Sequence, residues 1–168
     1  RPENLPAVRE YTGFFPVELP WNWVDYQGFL QELMKSGIAC NFASHAGHGM
    51  IRLQVMGFSG EPASPEQMTR MSHHLRAALE QGALGLSLGP AYAPGSFAEQ
   101  NEFISLGKVA HSFPRTWITV HLRDEGDRVI DSVAEMVGVA EATGLPMHIC
   151  HHKATGVRNW GKVEKTLA

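Results

Sequence analysis

Cysteine is scarce: Cys40 and Cys150 are the two in 168 residues. Thiols so far apart are no disulfide framework. That argues against a small cross-linked secreted domain and for a reducing cytoplasm. Long apolar runs are missing too. No stretch approaches the roughly 18 residues that span a bilayer, so no membrane association is expected. The opening residues, RPENLPAVREY, lack the basic and apolar regions of a signal peptide. There is no Lys/Arg cluster either. Lysine and arginine number 14 against 17 acidic residues, a net charge of −3. Without a basic face to neutralise phosphates, a nucleic-acid partner is not expected. Charged residues make up 18% and apolar residues 43%, the balance of a folded chain rather than a disordered one. The length suffices for one domain with a real core.

What the sequence does carry is alternation. Residues 1–20 hold Pro2, Pro6, Pro16 and Pro20 without a clear period and read as an irregular lead-in. Apolar spacing predicts a helix over Trp23–Lys35, with Gly37 capping its end. Ile38–Ala46 reads as a short strand. Ser64, Pro65 and Gln67 form a capping-box signature, and Met68, Met71, Leu75 and Leu79 then make one apolar stripe that stops at Gly82. Strands follow at Ala83–Leu88, Thr116–Leu122 and Pro146–Cys150. Helices are expected at Ala98–His111, at Asp127–Thr143 (Ile130, Val133, Val137 and Ala140 inward), and from Trp160 to Ala168. Strands alternating with amphipathic helices imply an α/β fold with a parallel sheet. No internal repeat, low-complexity segment or linker breaks residues 21–168, which read as one domain.

Histidine is abundant, with nine residues. His121 and His151 each close a predicted strand, about 30 residues apart, the length of one strand–helix–strand unit. Alternation puts Trp117, Thr119 and His121 on one face of their strand, and Met147, Ile149 and His151 on one face of the next. The C-terminal strand edge is where parallel α/β folds gather their sites. Strands about 4.8 Å apart bring two imidazoles within reach of one zinc ion, whose bonds to nitrogen are roughly 2.0–2.1 Å. Spacing alone leaves two readings open, a pair of metal ligands or a buried polar pair. The run Arg123–Asp124–Glu125–Gly126–Asp127 reads either as helix capping or as contacts behind the ligands or to substrate. Capping is the reading for Asp127, and Arg123 and Glu125 stay open. His152 faces away from His151 on an extended strand. Lys153 reads as a solvated lysine or as a partner for a substrate anion. His48, flanked by glycines, is a site or turn residue. Tyr92 lies in a Pro/Gly loop on the same edge, where it lines a substrate pocket or packs on a neighbouring loop. Arg52 reads as a surface charge or a carboxylate anchor.

These residues carry a family resemblance. VHLRDEGDR at 120–128 and ICHHKATGVRNWGKV at 149–163 resemble the N-acyl-D-amino-acid deacylases, or D-aminoacylases, of the amidohydrolase superfamily. GHGMIRLQVMG at 47–57 and GALGLSLGPAYAPGSFA at 82–98 agree in order and spacing. The resemblance runs from about Leu19 to the end. It implies a zinc-dependent (β/α)₈ barrel of which this chain is the middle, four strands numbered three to six of eight, and so a partial barrel domain over 21–168. It implies that His121 and His151 are the metal ligands of the fifth and sixth strands. The implied reaction is hydrolysis of the amide of a small-molecule N-acyl-D-amino acid, with zinc lowering the pKa of a bound water and a carboxylate moving protons.

Departures from the family pattern set limits. The first-strand His-x-His pair is absent, and His45 and His48, spaced His-x-x-His at the third-strand position, do not replace it. The family's cysteine ligand lies upstream of this chain, so that role does not pass to Cys40. The catalytic aspartate is expected beyond residue 168, so no catalytic residue is assigned here. Leu88 stands where a threonine is expected, and Ala91 where a bulkier apolar residue is. Two other readings stand beside the deacylase: a related amidohydrolase that opens cyclic amides, of dihydroorotase or hydantoinase type, and a non-catalytic partial barrel whose open sheet edges favour self-association.

Overall fold

Apolar residues alternate along the two central strands, and one face of each is therefore buried. In the computed structural model, which describes residues 5–13 and 21–167, four strands form one sheet: β1 (Ala46–Gly47), β2 (Gly85–Leu88), β3 (Trp117–Val120) and β4 (Met147–Ile149). All pairings are parallel and the order is β1-β2-β3-β4. Each strand lies beside its predecessor with no reversal point, which is single winding, the topology of a barrel arc and not of a doubly wound sheet. The α/β parallel architecture expected from the alternation is present.

Leu86, Leu88, Ile118 and Val120 are buried under three helices: α4 (Pro65–Glu80), α5 (Gln100–His111) and α6 (Val129–Thr143). Met71, Leu75, Phe103, Leu106, Met136 and Val139 complete that core. Each such side chain stabilises by about 1.5–3 kcal/mol relative to exposure. The opposite face carries Ser87, Trp117, Thr119 and His148, all partly or fully exposed. Helix α4 starts as the capping box predicts, with Ser64 Oγ accepting from Gln67 N and the Gln67 side chain accepting from Ser64 N. Helix α6 stops at Gly144, whose φ of 69° is the left-handed conformation that favours glycine. No helix among the described residues is long and apolar enough to cross a membrane.

Several expectations are corrected. Leu5–Tyr11 forms helix α1 and buries Val8, where an irregular lead-in is expected; Pro6 falls in its first turn, where a missing N–H costs nothing. The rest of the lead-in, 1–4 and 14–20, lies outside the described residues, as does Ala168. Helix α2 spans Tyr26–Lys35 behind an Asp25 cap. The strand expected over Ile38–Ala46 shrinks to β1. Residues 38–43 are exposed, and with a neighbour on one side only, through Leu84 N to Ser44 O (2.9 Å), extended backbone there has little to hold it. Helix α3 (His48–Met56) follows β1 directly and was not expected. In α6 the buried side is Val129, Ser132, Val133, Met136, Val139 and Thr143, and Ile130 and Val137 are exposed. The helix is apolar on more than one face, and polar anchors choose between them: Ser132 Oγ accepts from Asp124 N (3.0 Å) and Glu135 receives Arg123. The last expected helix is a 3-10 turn, Val157–Lys162, followed by the short α7 (Val163–Thr166).

Gly85 permits the β2–β3 contact. A Cβ there would lie 2.0 Å from the Trp117 carbonyl oxygen. Gly85→Ala is expected to push the strands apart and cost about 1–3 kcal/mol or more. A urea midpoint unchanged from the parent would refute this.

Candidate metal centre

The chain leaves the sheet at one edge, and the site forms there. His121 N donates to Leu88 O (3.1 Å), so His121 extends β3 by one bond, and Cys150 N does the same for β4 through Val120 O (2.9 Å). The His121 and His151 rings stand 4.8 Å apart, centroid to centroid, at 51°. Rings at that distance can direct one nitrogen each at a common ion with bonds of roughly 2.0–2.1 Å. Among the described residues neither imidazole has a hydrogen-bond partner. The donor chemistry fits zinc, but as half of a site. No group of three or more His, Cys, Asp or Glu among the described residues could hold a metal ion, and catalytic zinc takes three protein ligands.

The route to this pair differs from the one alternation suggests. Thr119 is in register with His148, and Val120 with Ile149. His148, not Ile149, therefore shares the inner face with Thr119 and His121. His151 reaches His121 because β4 ends at Ile149 and the chain bends at Cys150. His45 joins His148 on the inner face, its ring 4.8 Å from that of Trp117. Burial first, and His148 second, lower the His45 pKa below its ordinary value.

Tyr92 comes from the loop after β2 and sets its ring edge-on to His121 at 5.8 Å, 57% exposed. Tyr11 of α1 stands nearby, and burial, with Tyr92 second, raises its hydroxyl pKa above the ordinary tyrosine value. Glu125 and Lys153 pair at 2.8 Å, and Thr155 N donates to Glu125 O (2.6 Å). The loop after His121 is thereby fastened to the loop after His151. Asp127 does not cap α6. It receives Arg158 and Asn159 Nδ2 (3.0 Å), and its carbonyl accepts from Lys162. Asp124 closes the turn that leads into α6, accepting from Gly126 N (2.6 Å) and Arg128 N (3.2 Å). His152, three residues past the end of β4, hydrogen-bonds Thr166 Oγ1 (2.6 Å).

The expected site residue His48, together with Arg52, lies elsewhere. His48 is wholly buried, with Nε2 2.6 Å from Glu102 Oε1, and so cannot touch substrate. Arg52 is equally buried and donates to Glu102 Oε2 (2.5 Å) and Glu61 O (2.7 Å); it is a carboxylate anchor, not a surface charge. Burial alone would raise the Glu102 carboxyl, but the His48 hydrogen bond and the charges of His48 and Arg52 outweigh it and hold the pKa below the ordinary value. Glu102 was legible in principle, because a carboxylate in the Phe103–Leu106–Ala110 stripe needs a buried partner. Arg123 is also spent within the chain, on Glu135 Oε1 (2.8 Å) and the carbonyls of Ser96 and Ala98 (both 2.9 Å).

The chain is 40% identical to an N-acyl-D-glutamate deacylase from Alcaligenes xylosoxydans xylosoxydans over 167 residues, 99% of this chain and 33% of that protein. It is 30% identical to an N-acyl-D-aspartate deacylase from the same organism, over 98% of this chain and 32% of that one. Among solved structures it is similar to an N-acyl-D-glutamate deacylase from Bordetella bronchiseptica complexed with zinc and a phosphonate mimic of the tetrahedral intermediate. That likeness has a TM-score of 0.82 and 31% identity over 91% of this chain and 35% of that one. No family model matches the chain. It spans about a third of the length of the curated relatives it matches. By sequence and by fold, this chain is similar to the N-acyl-D-amino-acid deacylases over about a third of their length.

Proposed function

We propose that this chain is part of a zinc-dependent amidohydrolase that cleaves the amide of N-acyl-D-amino acids, with His121 and His151 as two of the metal's ligands. The observation that carries this reading is the pair of imidazoles, 4.8 Å apart at adjacent parallel strand ends. A zinc ion bound there would supply an activated water and polarise the substrate carbonyl. The chain's own residues do the rest of what is proposed. Tyr92 walls the approach to His121. Lys153, 55% exposed and steadied by Glu125, offers a cation to a substrate carboxylate. The remaining ligands and the proton-moving carboxylate come from outside residues 1–168, as do the strands that close the arc into a (β/α)₈ barrel. A cytoplasmic location is proposed on the cysteine content. The 168-residue chain by itself is proposed to self-associate through its sheet edges and not to hydrolyse substrate.

The test is a substrate panel on the intact protein: N-acyl-D-glutamate first, then other N-acyl-D-amino acids, their L enantiomers and cyclic ureides. D-selective amide hydrolysis, lost on chelation and restored by zinc, is the expected result. Turnover of cyclic ureides with inert N-acyl-D-amino acids would replace the reading with the cyclic-amide alternative.

A further inference from the structure

The guanidinium of Arg123 joins three pieces of chain. Nη1 donates to Ser96 O and Nη2 to Ala98 O, each at 2.9 Å. Nε and Nη2 grip Glu135 of α6 at 3.0 and 2.8 Å. The guanidinium carbon lies 5.8 Å from the Phe103 ring centroid. The two carbonyls end the loop that begins at Gly89 and carries Tyr92. That loop is tied to itself through Tyr92 N to Gly89 O (3.0 Å), Ser96 N to Tyr92 O (2.8 Å) and Ala98 N to Gly95 O (3.1 Å). These bonds make it one compact unit, and Arg123, two residues past His121, is bonded to its end.

We propose that Arg123, braced by Glu135, is a positioning residue: it holds loop 89–98, and with it Tyr92, against His121 without touching substrate. A planar fork is needed to meet two carbonyls and a carboxylate at once, and a lysine ammonium lacks it. The kinetic consequence rests on the deacylase reading. The structural consequence does not.

The experiment uses the intact protein and its Arg123→Gln, Arg123→Lys, Glu135→Gln and Tyr92→Ala variants. Amide exchange of the 89–98 peptide should speed up by about 10-fold in Arg123→Gln, and by less in Glu135→Gln, with the β3 and α4 peptides unchanged. KM for the N-acyl-D-amino acid should rise by about 10-fold with zinc content retained, and Arg123→Lys should not rescue it. In a Tyr92→Ala background, Arg123→Gln should add less than about 2-fold, because what it positions is already gone. Unchanged exchange of 89–98 would overturn the proposal, as would additive effects or a KM change that tracks zinc loss. Should the intact protein hydrolyse no N-acyl-D-amino acid, the deacylase reading falls and the exchange measurement alone decides for or against Arg123.

Discussion

His151→Ala in the intact protein is expected to remove bound zinc and hydrolysis together, and His121→Ala to do the same. Each imidazole is one of few donors, and its partner ring is the neighbour it would share the ion with, at 4.8 Å. Taking one away leaves the other imidazole without its partner, and no three-ligand group exists among the described residues. The loss of activity should be on the order of 10³-fold or more, the scale seen when a member of a catalytic unit is deleted. Zinc measured by elemental analysis, beside kcat/KM, separates the possible roles. Activity lost with zinc retained would mean that these histidines are not ligands. The 168-residue chain alone should hold zinc weakly, because two imidazoles lack the third protein ligand of a catalytic site.

Breaking the buried Arg52–Glu102–His48 group is expected to have the largest effect on stability. Arg52 and His48 are fully buried and Glu102 nearly so, so Glu102→Leu strands a guanidinium away from water. Removing one member of such a pair costs about 3–5 kcal/mol. The group ties α3 to α5, with Arg52 reaching on to Glu61 O, so the loss should appear as a lower urea midpoint of the whole transition. A change under about 1 kcal/mol would show that the pair contributes no more than a surface bridge. A pH signature follows as well. The Glu102 pKa is lowered in the folded state, so near that pKa the unfolded chain binds more protons than the folded one. The stabilisation is therefore complete above the ordinary glutamate value of about 4.3. It is lost as pH falls through that value toward the lowered folded one. Glu102→Gln should flatten that part of the stability curve, and an unaltered acid limb would contradict the assignment.

Residues whose position follows from local periodicity were legible before any fold was in hand. Ser64, Pro65 and Gln67 announced the start of α4, and Met71, Leu75 and Leu79 its buried stripe, because helix geometry repeats within a few residues. The four strands are legible as elements, though the apolar run at 38–46 suggests a longer β1 than the two residues that pair. His121 and His151 stood out because one strand–helix–strand unit separates them. The partners of Arg52 and Arg123 are not legible, since a guanidinium looks the same whether it faces water or a carboxylate 50 or 12 residues away. Periodicity does not fix the inner face of helix α6 for a related reason: more than one apolar stripe satisfies the period, and Ser132 and Glu135 decide between them through partners on another loop.

The sequence by itself determined the alternation of strand and helix, the parallel sheet that alternation demands, and the two histidines that end adjacent strands. The tertiary structure alone decided which side chains meet. It brought His151 to His121 through a bend after β4, withdrew His48 to a buried hydrogen bond with Glu102, and spent Arg123 on Glu135 and the end of the Tyr92 loop. The division has a physical cause. Secondary structure is set by backbone geometry and near-neighbour side chains, whereas the burial of a charge is set by partners that the chain brings close only when it folds.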